Sequence, residues 1–433
     1  MNAAACYLTV SPELIASPRK SLAQIVTRYG LSASGPVCIS FAHFVAAVVC
    51  LRAFPHAAFG IFSFALVVAP FCLSLSGALI GAPAAIALRR GAMSDRDLGT
   101  YLKTNLVFTL LAATGVLLLM RLSSAGWALA SLFAAYAGAM TLRWFARTLF
   151  YARGPALRVL ASDLLYSVVV LAGLFALRGL HLLTAISVAE LLLGSACIAL
   201  LSFGPSHLRE QFDFTDFSAV KAYAPIWFDL ARWSAFGVVL TELTVNAHAY
   251  LVTFLSGPAA FAPIAAGALF IRPVQLVLAA IPDRERPIMA RQLGRGDHVG
   301  ARHSVNQFRI AAGAVWLATV IGSAALLLWF PHLVLKKEYD PAQALIVLAF
   351  FAAITAARTI RTPESVLLQA AGQFRALAWA SFAASIVSLG VTLALLLIAG
   401  PIYSLAGILA GELVITARIL ILSRNWMRVS CPA

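Results

Sequence analysis

Apolar residues run along this chain in blocks separated by short polar breaks, and about 20 of them are needed to cross a bilayer's hydrocarbon core. Twelve blocks have that length: roughly 30–53, 57–82, 101–120, 125–150, 157–177, 182–203, 229–254, 258–281, 307–330, 342–362, 376–399 and 402–423. Most breaks hold only a turn. The two longest polar stretches, near 204–228 and 282–306, are basic and too short for an inserted soluble domain. The pattern predicts an all-α polytopic membrane protein of twelve transmembrane helices.

Composition agrees with the pattern. Of 433 residues 61% are hydrophobic and 11% charged, with a mean hydropathy of +0.90. Soluble domains are about a quarter charged. The net charge of +15 would point to nucleic acid in a soluble protein, but here the bilayer claims the basic residues first. With both termini placed inside, only Arg52, Arg121, Arg178, Lys336 and Lys337 fall outside, and Arg232 and Arg272 lie within spans; the other 25 of 32 basic residues flank the inner face. Both termini are thus expected on the cytoplasmic side, with no nucleic-acid partner. Segment 14–29 reads as a short interfacial helix with Arg19, Lys20 and Arg28 on headgroups, and no charged region precedes an apolar run as in a cleaved signal peptide.

The chain repeats itself. Ala57-Ala58-Phe59 matches Ala259-Ala260-Phe261, Pro70 matches Pro273, Pro83 matches Pro287, Asp95 matches Asp297 and Asn105 matches Asn306, at offsets of 201 to 204. Further on, Gly154 matches Gly372 at an offset of 218. Matches in the same order predict two pseudo-symmetric six-helix bundles around a central cavity, an architecture of transporters. The expected division is an N-terminal segment over 1–29, a bundle over 30–203, a cytoplasmic linker over 204–228, a bundle over 229–423 and a cytoplasmic tail over 424–433.

Enzyme signatures are missing. The six cysteines show no paired or zinc-type spacing, the phosphate-loop pattern GxxxxGK[ST] is absent, and no acid/base pair presents itself. No cofactor is expected. Three local patterns carry a resemblance: Gly257-Pro258 followed by Phe261, Arg272-Pro273 within the eighth span, and Arg361-Thr362-Pro363 leading to Leu367-Leu368-Gln369-Ala370 and Gly372. With twelve spans in two halves, these resemble the polysaccharide branch of the multidrug/oligosaccharidyl-lipid/polysaccharide exporter superfamily. The resemblance implies a Wzx-type flippase that moves an undecaprenyl-pyrophosphate-linked oligosaccharide from the cytoplasmic to the periplasmic leaflet by alternating access. It implies membrane lipids, a polysaccharide polymerase and chain-length machinery as partners, and function as a monomer.

Rival readings differ in what they require. A cation-coupled multidrug exporter needs acids in its first bundle; span one has none, while Asp163 and Glu190 sit in spans five and six. A lipid II flippase usually has two further spans. A polysaccharide polymerase or ligase usually carries a large periplasmic loop, and the longest here is about 331–341.

Charges inside spans nominate the site, because intramembrane charges usually face a cavity or a partner. Arginine suits a pyrophosphate, since its planar fork offers several donors and stays protonated. Arg143 and Arg147 are four apart on span four, Arg358 and Arg361 three apart on span ten, and either spacing puts a pair on one helical face. They are expected to line a cationic inlet on the inner side, or else to snorkel to headgroups. Glu242 and Arg272 lie at depths that differ by only roughly 3 Å on adjacent spans, so an ion pair is expected that either locks the two helices or opens in one transport state and frees Arg272 for phosphate, with a kink at Pro273. Asp163 is expected to pair with Arg158, and Glu412 and Arg418 to be structural. His43 reads as a hydrogen-bonded packing residue rather than a proton carrier and, with Asn246, as a candidate polar group of the cavity; Asn246 and His248 read as contacts for either sugars or neighbouring helices.

Overall fold

In the computed structural model the described residues are 22–89, 94–153, 156–213, 217–336 and 338–430. The chain enters as α1 (Leu22–Ala53) and returns as α2 (His56–Ser76), which passes through a π-helical turn, Gly77–Gly81, into α3 (Ala82–Arg89). Next come α4 (Asp95–Leu122), α5 (Trp127–Arg153), α6 (Ala156–Gly179) and α7 (Ala185–Leu201). Between the halves lie α8 (Pro205–Gln211), a 3-10 turn, Phe217–Tyr223, and the single turn α9 (Ala224–Ile226). A second π turn, Trp227–Ala231, opens α10 (Arg232–Val245), followed by α11 (Ala247–Leu255), α12 (Pro258–Phe270) and α13 (Arg272–Gly294). The rest is α14 (His298–Trp329), the short α15 (Pro331–Val334), α16 (Pro341–Ala370), α17 (Phe374–Ala399) and α18 (Leu405–Ser430).

Eight described helical stretches are long and apolar enough to cross a membrane, and three bent pairs raise the total to eleven. The twelfth rod is α5, whose lower half carries Arg143, Arg147 and Arg153. Two of the predicted spans are not single rods, and a third bend lies where the sixth meets the linker. The seventh breaks at Asn246, where α10 and α11 meet at 61°; the eighth breaks at Ile271, where α12 and α13 meet at 60°; and α7 turns through 107° into α8. Pro273 explains the second break, since it donates no backbone hydrogen bond. At the first, the Asn246 backbone N–H still donates to the Glu242 carbonyl at 2.8 Å while its side chain bonds the Glu242 carboxylate, and the helix resumes at Ala247 in a new direction. At the termini, α1 runs from Leu22 through the described part of 14–29, continuous with the first span, and α18 continues to Ser430. Residues 14–21 lie outside the described ones.

Helices pair alike in the two halves: α1 with α6 and α10–α11 with α17, α4 with α5 and α14 with α16, α5 with α7 and α16 with α18, α6 with α7 and α17 with α18. The halves share one core at the end where α1 turns into α2 and α11 into α12, called here the upper end. There Phe59, Phe62 and Phe64 of α2 pack into the same cluster as Phe261 and Ile264 of α12 and Val347 of α16. Towards the lower end the clusters separate, Leu106, Phe150 and Phe203 in one half and Met289, Phe308 and Val366 in the other. The halves also meet below, where Ile80, Ala84 and Tyr101 cluster with Tyr223 and with Ala231 at the start of the second half.

Small residues set the closest approaches. Gly407 and Gly411, four apart on α18, seat against Thr392, Ser388 and Ala384 of α17, where a Cβ would collide. Gly257 holds φ at 86°, a left-handed conformation that glycine adopts without strain, and hands over to Pro258 at the first position of α12.

Candidate functional site

A cavity of about 150 Å³ lies between the halves. Ala47, Ser63, Leu66 and Val67 from α1 and α2 form one wall. The opposite wall holds Asn246, His248, Arg272, Gln275 and Arg358 among apolar residues of α11 to α13, α16 and α18. No carboxylate is among the lining residues. The polar groups come to the cavity through the two helix breaks: Asn246 is the residue between α10 and α11, and Arg272 opens α13 directly after Ile271. A break frees a helix from its 3.6-residue period and re-aims the side chains beyond it.

Arg272 has no hydrogen-bond or ion-pair partner among the described residues. The expected pair with Glu242 is not formed. The Glu242 carboxylate accepts instead from Asn246 Nδ2 at 3.0 Å and from the Tyr250 hydroxyl at 2.8 Å. Equal depth on two rods does not fix which way side chains turn when both rods are bent. His248 is buried with Nδ1 unpartnered, between the rings of Phe261 and Phe351.

The four nominated arginines end in two carboxylate clasps. In the first, Arg143 Nη2 meets Asp163 Oδ1 at 2.6 Å and Arg147 Nη2 meets Asp163 Oδ2 at 2.8 Å. Arg143 also gives Nε to Ser162 at 3.1 Å, and Arg147 gives Nε to Asp163 at 3.2 Å. Arg143 and Asp163 are fully buried and Arg147 is 5% exposed, so this pair lines no inlet. Gly35 makes room, since a Cβ there would run into the Asp163 carboxylate. The pairing expected for Asp163 is corrected: Arg158 stacks on Phe150 instead. Five residues along a helix turn a side chain about 140° away, outside the three- and four-residue spacings that face each other.

In the second clasp, Arg358 Nε meets Glu412 Oε1 at 2.7 Å and Arg361 Nε meets Glu412 Oε2 at 2.9 Å. Glu412 is fully buried, while the two arginine side chains keep 16% and 18% exposure. Arg358 alone of the four lines the cavity. Arg418, also taken as structural, is exposed on α18. The clasps are alike in composition but not in source, because the acid comes from α6 in one half and α18 in the other.

His43 lies beside the first clasp rather than in the cavity lining. Its Nε2 is 2.7 Å from the Tyr166 hydroxyl, which lies 3.1 Å from that of Tyr136, and Arg143 stacks over the Tyr166 ring. A third charge cluster went unread in the sequence. Glu364, 3% exposed, accepts from Arg309 at 2.6 Å and lies 3.4 Å from Arg302. The signal was present in three charges on α14 and α16, but their sharing depends on how those helices pack.

No protein-family model matches the chain, and no curated protein matches it. Solved structures do. One is an inward-facing multidrug-resistance MATE transporter of the MOP superfamily, with a TM-score of 0.65 at 14% identity, covering 93% of this chain and 98% of that one. A second is the lipid II flippase MurJ in an inward closed conformation, with a TM-score of 0.67 at 12% identity over 91% of this chain and 87% of that one. A third is a MOP superfamily transporter from Pyrococcus furiosus whose binding pocket is described as of reverse polarity, with a TM-score of 0.54 at 14% identity over 92% and 96%. The class of fold is thus that of the MOP superfamily transporters.

Proposed function

We propose that this protein is a flippase that carries an undecaprenyl-pyrophosphate-linked oligosaccharide from the cytoplasmic to the periplasmic leaflet of a bacterial inner membrane, for surface or exopolysaccharide synthesis. One observation carries the reading. Arg272 has no partner among the described residues, stands at a helix break, and shares with Arg358 a cavity between the halves whose described lining holds no carboxylate. A half-buried cation without a counter-ion within the membrane region is costly, and an anionic substrate would offset that cost. The pyrophosphate is the part of a lipid-linked sugar that calls for such a charge, while Asn246, His248 and Gln275 offer hydrogen bonds to sugar hydroxyls. The lipid tail can remain in the bilayer. Handing the product to a polymerase, and working as a monomer, belong to the same proposal.

Cation-coupled multidrug export is the second reading, and Glu242 favours it as a partly buried acid with no cationic partner among the described residues. The two readings part in proteoliposomes. Flipping of a fluorescent undecaprenyl-pyrophosphate oligosaccharide, abolished by Arg272→Ala, is the expected result. Efflux of a cationic dye that survives Arg272→Ala and is lost in Glu242→Gln would overturn it.

A further inference from the structure

The two clasps hold their carboxylates differently. Arg147 closes on Asp163 with Nε and Nη2 together, and Arg143 gives Nη2 to the acid, Nε to Ser162 and Nη1 to the Met140 sulfur at 3.9 Å. Arg358 and Arg361 touch Glu412 only through Nε. No described residue accepts a hydrogen bond from their four Nη groups. A clasp built solely for strength would close the fork on the acid, since two parallel N–H···O bonds are the strong arrangement. Here the acid grips the back of each guanidinium and leaves the front free.

Glu412 is itself rigidly held. Gly411 beside it lets α18 sit against Ser388 and Ala384 of α17. One turn on, the Thr416 hydroxyl donates to the carbonyl of Ala357, the residue before Arg358, at 3.3 Å. The carboxylate and the backbone of Arg358 are thus fixed to each other.

From this geometry we infer that Glu412 is a positioning residue, which grips Arg358 by Nε so that its two Nη groups face the cavity as a preformed fork for the oxygens of a pyrophosphate group. This rests on the flippase reading. Charge fits as well: Arg272, Arg358 and Arg361 bring three positive charges and Glu412 removes one, which leaves two against the two of a pyrophosphate diester. Asp163 acts in the opposite sense, since its clasp uses up the arginine donors and locks α5 to α6. Orienting groups behind a binding side chain are as much a part of a site as the side chain itself.

The test uses the full chain in detergent with farnesyl pyrophosphate and farnesyl monophosphate as probes. Wild type is expected to prefer the pyrophosphate. Glu412→Gln leaves one arginine facing an amide N–H, and Glu412→Asp keeps both ion pairs but draws the carboxylate back by one methylene. Both are expected to weaken pyrophosphate binding about tenfold and to bring the affinity ratio of the two probes towards one. Asp163→Asn, where it folds, is expected to leave the ratio within twofold of wild type. If Glu412→Gln fails to fold, Glu412→Asp decides alone. An unchanged ratio in folded Glu412→Asp would overturn the positioning role and leave the flippase reading intact. Failure of wild type to bind either probe would overturn the flippase reading, and this inference with it.

Discussion

Gly60 on α2 lies directly against the backbone carbonyl of Pro258 on α12, so that a Cβ at residue 60 would overlap the Pro258 oxygen and carbon. These two residues come from different halves, and they meet at the upper end where the shared core is densest. The obstacle to a side chain is main chain, which cannot swing aside.

Gly60→Ala should therefore oppose closure at this end, even though alanine is the better helix former by about 1 kcal/mol. A cysteine placed at Ser63, on the cavity wall, reports the change. Labelling by a membrane-impermeant maleimide added from the upper side should rise severalfold in the Gly60→Ala background. Unchanged labelling would mean that the upper contact does not close the cavity.

Asp163 pairs with two buried arginines, one through each oxygen, so its loss leaves both without a counter-ion. Asp163→Ala should destabilise the protein by about 3–5 kcal/mol, as for other broken buried pairs. Replacing Arg143, Arg147 and Asp163 together with apolar residues of similar volume should cost less than that single change. Thermal unfolding in detergent, followed by circular dichroism, ranks the two. A triple variant less stable than Asp163→Ala would show that the clasp contributes more than the desolvation it requires.

Arg272 and Glu242 make separate contacts, so their effects should add. In a double-mutant cycle of Arg272→Ala and Glu242→Ala, the coupling energy for stability should stay within about 0.5 kcal/mol. Coupling of several times that size would mean the two side chains meet in a populated state.

The Tyr223 hydroxyl donates to the carbonyl of Leu79 inside the π turn that ends α2, tying the linker to the first half. A π turn leaves a carbonyl outside the regular ladder, and here a side chain takes it up. Tyr223→Phe should cost about 1 kcal/mol, the usual net contribution of one hydrogen bond. Equal unfolding midpoints for the two proteins would remove this tie from the account.

The helical rods were legible because blocks of twenty apolar residues have few other uses. Pro273 announced its own break. Asn246 did not, since one asparagine in a helical run usually stays helical. Arg272 could be picked out as a lone charge in an apolar block, but its supposed partner was chosen by depth along straight helices, and both helices bend. The arginines at 143, 147, 358 and 361 stood out by spacing. That they would share carboxylates from α6 and α18 was unreadable, because it depends on which faces of the helices are pressed together. Glu412 is read from the sequence as structural, but that it is the shared partner of Arg358 and Arg361 stays hidden for the same reason.

The different sources of the two acids matter while the chain is being made. Each arginine near the middle of a helix opposes insertion by about 2.5–3.5 kcal/mol, so α5 and α16 both enter the bilayer at a disadvantage. For α5 relief is quick, because Asp163 follows Arg147 by only 16 residues and the two helices can go in as a hairpin. For α16 the wait is long, since Glu412 follows Arg361 by 51 residues and lies on α18, with the whole of α17 between them. A chain cut after residue 400 should thus leave α16 incompletely seated, detectable as a cysteine at Thr362 that stays open to water-soluble reagents, whereas a cut after residue 180 should leave α5 in place. Until α18 arrives, the second half carries two uncompensated charges in lipid, and its assembly is completed from the far end of the bundle.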